Sequence, residues 1–165
     1  MHPASLPETE LLKHCTVRRQ RRSGPGGQHR NKVETAIFIE HKPTGVSAEA
    51  CERRSQEKNR QAAIFRLRVN LALEFRSDIN DDQPPSKLWK SRCRGRKLSI
   101  NPQHDDFPAI LAEALDHIHV HNGELKPVAD RLECSATQLV KLLAKEPRAL
   151  AKVNALRPGR ELKSP

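Results

Sequence analysis

Arg21-Arg-Ser-Gly-Pro-Gly-Gly-Gln-His-Arg-Asn-Lys32 suits neither a helix nor a strand, and the segments on either side of it decide the fold. Three of the chain's seven glycines lie between positions 24 and 27, around Pro25 and with arginines on both sides. Adjacent glycines permit φ > 0 and let peptide groups approach a ligand with no Cβ in the way. Gln28 follows with a neutral amide that can donate and accept hydrogen bonds but cannot take up a proton near neutrality. Backbone N–H groups and one amide, ringed by cations, suit a water-mediated attack on a phosphate-bearing substrate. They do not make an acid–base dyad.

Working outward, residues 10–17 read as a short helix or turn running into a strand. Residues 33–41 contain Ala36-Ile-Phe-Ile39, a β-favouring apolar run. His41-Lys-Pro-Thr-Gly45 is a turn, with Pro43 setting φ and Gly45 available for a left-handed position. Residues 46–51 then return antiparallel. Ser55 is placed to cap a helix running to about Arg76, with Ala62, Phe65, Val69 and Leu73 on one face and Ile64, Leu67 and Leu71 widening the stripe. The expected class is α+β: an antiparallel hairpin or small sheet on a long helix, then a basic linker and a small all-α domain.

Four ordered blocks carry a resemblance: Ser23-Gly-Pro-Gly-Gly-Gln-His29, Asn31-Lys-Val-Glu-Thr-Ala36, Pro43-Thr-Gly45, and Arg54-Ser-Gln56 with Asn59 beyond it. Over about the first half of the chain they resemble class I peptide chain release factors and the short ribosome-rescue hydrolases related to them. The resemblance implies a GGQ domain that hydrolyses the peptidyl-tRNA ester in the ribosomal peptidyl-transferase centre, with no cofactor. Gly26, Gly27 and Gln28 are then catalytic, the Gln28 N–H donating to the developing oxyanion or leaving oxygen. Large-subunit rRNA and peptidyl-tRNA are the implied partners. Arg30 departs from the family, which usually has a small apolar residue there. Only about 22 residues precede Ser23, too few for a codon-reading domain, so codon-independent rescue of stalled ribosomes is the leading expectation. The alternative is a non-catalytic RNA- or ribosome-binding protein whose helical domain chooses the partner.

Composition agrees with a polyanionic partner: the 165 residues carry a formal charge of +10 and a pI near 9.9. At 3% aromatic content, an aromatic base-stacking platform is a poor candidate for the binding mode. Arg18, Arg19, Arg21, Arg22, Ser23, Arg30 and Lys32 around the loop, Arg54 and Gln56 in the later block, and Arg92, Arg94, Arg96 and Lys97 further on are the candidate RNA contacts. No apolar run approaches the roughly 20 residues that span a bilayer, and the N-terminus lacks a signal-peptide pattern. Cys15, Cys51, Cys93 and Cys134 form no C-x-x-C pair, as expected of reduced thiols in a monomeric cytoplasmic protein.

The expected boundaries are 1–78 for the GGQ domain with 1–10 a loose leader, 79–104 for the basic linker, 105–156 for the helical domain and 157–165 for a tail. Trp89 is read as docking the linker onto a domain. Residues 107–120 have helical periodicity ended by Gly123. Val128-Ala-Asp-Arg-Leu132, Ser135 and Leu139-Val-Lys-Leu-Leu143 have helix-turn-helix spacing, although Glu133 stands where the turn glycine is usual. This part reads as a helical packing unit and not as a base-specific DNA reader. His117, His119 and His121 lack a Cys or acid to complete a metal set, so no metal site is assigned.

Overall fold

The structure, a computed structural model, describes residues 1–20, 35–80 and 82–163. The chain is mixed α+β and divides into two compact units: residues 3–74, and residues 75–165 together with 1–2.

In the first unit a 3-10 turn, Pro3–Ser5, precedes helix α1, Glu8–Lys13, and strand β1, Cys15–Gln20. Strands β2, Ala36–His41, and β3, Val46–Ala50, follow, then helix α2, Gln56–Glu74. The sheet is antiparallel in the order β1-β2-β3. Gly45 takes φ +69° in the β2–β3 turn, and its N–H bonds to the His41 carbonyl at 2.9 Å. The register sets Ile37 opposite Ala50 and Ile39 opposite Ala48. Large residues thus face small ones, and all four are buried. Helix α2 packs on β2 and β3 through buried Ala63, Ile64, Leu67 and Leu71. Of the expected face, Val69 and Leu73 are buried as well, whereas Ala62 and Phe65 are only half-buried. The Pro3–Ser5 turn also packs on α2.

Residues 1–10, expected as a loose leader, are folded. Ala4 and Leu11 are fully buried, Arg68 Nε donates to the Ala4 carbonyl at 3.0 Å, and Arg60 pairs with Glu8 at 3.3 Å. Within 1–10 the one fully buried apolar residue is Ala4, and a single alanine is too short a signal for periodicity to register.

The second unit contains helix α3, Lys87–Arg92, a two-stranded ribbon of β4, Cys93–Arg94, and β5, Lys97–Leu98, and helices α4, Phe107–Val120, α5, Leu125–Arg131, α6, Ala136–Ala144, and α7, Pro147–Ala155. Helix α4 is buried on nearly every side, as a central helix should be, and α5, α6 and α7 pack on it. It ends where the Gly123 N–H bonds the Ile118 carbonyl at 2.8 Å with φ +82° at Gly123. A Cβ there would lie 2.9 Å from Arg157 Cγ. The stretch expected as a linker contains α3 and the ribbon. Its charges mask the apolar residues that hold it, namely Trp89, Leu98 and Ile100, all buried.

Asp116 of α4 is 3% exposed. Its Oδ1 accepts from the Ser77 N–H at 3.3 Å and from Arg76 Nη1 at 3.4 Å. Burial outweighs both and raises its pKa from 3.8 to about 6. The ionised form is therefore the disfavoured one: the cost is full above pH 6 and disappears as pH falls toward 4. A shift of this size corresponds to about 3 kcal/mol. His2 opposes it, because burial lowers that ring to about 4; its contribution is intact above pH 6.5 and is lost on acidification. Asp116→Asn removes only the first effect. In thermal melts it should exceed wild type at pH 7.5 by about 2 kcal/mol, part of the gain being lost with the Arg76 attraction, and match it near pH 4. A pH-independent difference would refute the assignment.

Candidate functional site

The last residue of β1, Gln20, is the register partner of the first residue of β2, Ala36. The two ends of the Gly-rich segment are thus held side by side by a strand pair. Gly26, Gly27 and Gln28 lie outside the described residues, as do Arg21, Arg22, Ser23, Arg30 and Lys32. Arg18 and Arg19 stand on β1 opposite Phe38 and Ile37. Both are exposed and, by strand alternation, they project to opposite faces.

Asn59, on the second turn of α2, is fully buried. Its Nδ2 donates to the Thr35 carbonyl at 2.7 Å and to the Arg53 carbonyl at 2.9 Å. Its Oδ1 accepts from the Arg53 N–H at 2.9 Å. One side chain thereby joins the residue that leaves the Gly-rich segment to the turn that enters α2. Two sequence blocks about twenty residues apart meet at a single amide nitrogen.

That turn is fixed from its other side. Arg66 donates to both oxygens of Glu52, at 2.5 and 3.2 Å, and to the Glu49 carbonyl at 2.8 Å. The Arg66 guanidinium holds the Glu52 carboxyl down at about 2. Arg54 is left exposed at the top of the turn, and Gln56 begins the helix half-buried. Farther along α2, Asn70 Nδ2 donates to the Ser47 carbonyl at 2.8 Å. Asn59, Arg66 and Asn70 recur at i, i+7 and i+11, one line along the helix. Each bonds main chain of the sheet or of the segment that enters it. The periodicity of apolar residues passes over this polar line; polar residues recurring beside an apolar stripe would have revealed it.

The second basic group belongs to the other unit and divides in two. Arg92 is bound to Asp106 at 2.5 Å, and Arg96 donates to the Cys134 carbonyl at 2.7 Å. Arg94 and Lys97 are exposed with no ion-pair partner among the described residues. Of the three histidines, His117 is buried and His119 exposed. Among the described residues no three His, Cys, Asp or Glu side chains are placed to hold a metal, and no helix is long and apolar enough to cross a membrane.

Comparison with known proteins fits this arrangement. The RF-1 domain family matches residues 9–103. Peptide chain release factor 1 of Xylella fastidiosa is 33% identical over 130 residues, 74% of this chain and 36% of that protein. Peptide chain release factor 1 of Streptococcus pyogenes is 37% identical over 140 residues, 77% of this chain and 38% of that protein. The Streptococcus pneumoniae protein of the same name is 44% identical over 117 residues, 67% and 32% respectively. The chain thus spans about a third of the length of these relatives. With more than half of its residues inside the family match, and the loop-bearing sheet and helix among them, the chain belongs to the RF-1 domain family.

Proposed function

We propose that the chain releases nascent peptides by hydrolysing the peptidyl-tRNA ester in the large ribosomal subunit, independently of the codon in the A site. The observation that carries this reading is the Asn59 junction, which binds Thr35 and Arg53 to one amide while Gln20 and Ala36 hold both ends of the Gly-rich segment. A segment whose flanking residues are fixed on a sheet and a helix is suited to present its residues to a reaction centre built by RNA. In this reading Gly26 and Gly27 admit close approach, and the Gln28 N–H donates to the oxyanion, the Gln28 amide orienting the attacking water. Arg18, Arg19 and Arg54, exposed around the loop's base, meet rRNA phosphates. Codon independence is the finer part. Its support is the pair of exposed cations in the second unit, Arg94 and Lys97, which suit RNA backbone and carry no sequence readout.

Single-turnover release from ribosomes carrying peptidyl-tRNA tests both parts, with the A site empty on a truncated message, holding a sense codon or holding a stop codon. Release is expected in the first two states and is lost in Gly27→Ala. Stop-only release would overturn codon independence alone. Tight ribosome binding without release in any state would replace the hydrolase with the non-catalytic binder.

A further inference from the structure

The helical half of the chain contains a helix-turn-helix whose turn is built by the segment before it. Helices α5 and α6 are joined through Leu132–Ser135, and Glu133 adopts φ +54°, the left-handed position where glycine is usual. Ser135 caps α6, its hydroxyl accepting from the Gln138 N–H at 3.2 Å. Three successive turn carbonyls are occupied from outside. Leu132 accepts from Trp89 Nε1 at 2.7 Å, Glu133 from Cys93 Sγ at 3.6 Å, and Cys134 from Arg96 Nη2 at 2.7 Å. The Leu98 N–H donates to Gln138 Oε1 at 3.2 Å, which seats β5 against α6.

This seating determines what the ribbon shows to solvent. Cys93 and Leu98 are register partners, as are Arg94 and Lys97. Leu98 is buried against the helices, so strand alternation sends Arg94 and Lys97 outward together. Gly95 and Arg96 form a two-residue turn with φ of +54° and +62°, which brings the two strands tightly together. Two like charges directly opposite each other on a two-stranded ribbon oppose its folding. No acid among the described residues pairs with either. Of the two acids beside the ribbon, Asp130 pairs with Arg96 at 3.4 Å, and Glu133, exposed in the turn, pairs with neither Arg94 nor Lys97 among the described residues. Lys141, exposed on α6 one turn beyond Gln138, adds a third cation on the side of α6 where β5 is seated.

We propose that Arg94, Lys97 and Lys141 form a docking surface for the phosphate backbone of double-helical RNA. Charge complementarity sets the partner's sign. A backbone reader is favoured over a base reader because the exposed residues at the start of α6 are Ala136 and Thr137, and the Gln138 amide is already bound to Leu98. Shape and phosphate contacts are how A-form helices are recognised. The choice of RNA over DNA rests on the ribosomal reading proposed above. The surface itself does not, and it can be tested without ribosomes.

The test measures binding of the full chain to a mixed-sequence RNA duplex of about 16 base pairs, the span of a typical duplex-RNA module, across a salt series. A DNA duplex and single-stranded RNA are run in parallel. In Arg94→Glu/Lys97→Glu the slope of log affinity against log salt should fall by about 2, with affinity for the RNA duplex reduced tenfold or more. The single variant Arg94→Glu turns the ribbon's like pair into an opposite one, so it should melt higher than wild type while binding more weakly. A structural role for Arg94 could not move the two readouts in opposite directions. Unchanged duplex affinity in the double variant would overturn the proposal, the first unit's cations then carrying all binding. Equal losses on single-stranded RNA, or tighter binding to the DNA duplex than to the RNA duplex, would also overturn it.

Discussion

Replacing Asn59 by aspartate should unfold the first unit at neutral pH. The substitution removes the two N–H donors and leaves an oxygen facing the Thr35 and Arg53 carbonyls, at the site where the amide nitrogen stood 2.7 and 2.9 Å away. Each orphaned buried carbonyl costs about 1–3 kcal/mol. An ionised carboxylate at a fully buried position adds several more. Against the 5–15 kcal/mol that holds typical domains together, the sum is enough to lose the fold. Asn59→Ala is the milder probe. It leaves both carbonyls and the Arg53 N–H unpartnered but adds no charge, and should cost about 3 kcal/mol. Denaturant melts give the cost, and amide exchange at Arg53 reports the lost acceptor directly. In the release assay, below its melting temperature, Asn59→Ala should lower the rate about tenfold or more with ribosome affinity kept, because the loop's anchor is loosened and not its charge. A wild-type release rate would show that the junction supports the fold alone.

The second large effect belongs to Trp89. It is fully buried, and Trp→Ala in a core costs about 3–5 kcal/mol. Here the substitution also strips the Leu132 carbonyl of its 2.7 Å donor. The loss falls on residues 75–163, so amide exchange should accelerate in α5 and α6 while β2 and α2 keep their protection. Trp89→Phe separates the two causes: it retains an aromatic ring but no N–H, and should cost about half as much. Uniform loss of protection through both units, in place of a selective one, would contradict the division between them.

These two residues also mark how far the sequence could be read. The strands, the turn at Gly45, the long helix and the end of α4 at Gly123 follow from β-branched runs, Pro and Gly placement and 3.6-residue spacing, all local signals. Trp89, the one tryptophan and set among cations, reads as an anchor in preference to a ring that stacks on a base. Asn59 reads only as part of a block, since its partners at Thr35 and Arg53 are carbonyls that composition never displays. The ribbon 93–98 is hidden for a related reason. Two-residue strands carry no period, and the partners that hold them lie some forty residues away. The distinction between braced Arg92 and Arg96 and outward Arg94 and Lys97 is likewise tertiary, and charge counting treats the four alike.

The two edges of the first unit's sheet differ, and the difference bears on solubility. On β3 the Ser47 and Glu49 carbonyls are capped by Asn70 and Arg66, so that border offers little to a second chain. Among the described residues β1 is bordered on one side only, and Val17 on it is exposed. An open strand with free main-chain groups is a template for aggregation, and flanking cations are a common deterrent. Arg18 and Arg19, exposed on β1, place cations on that border. Neutralising them with β-branched residues would be expected to turn this border into a nucleus for intermolecular strand pairing.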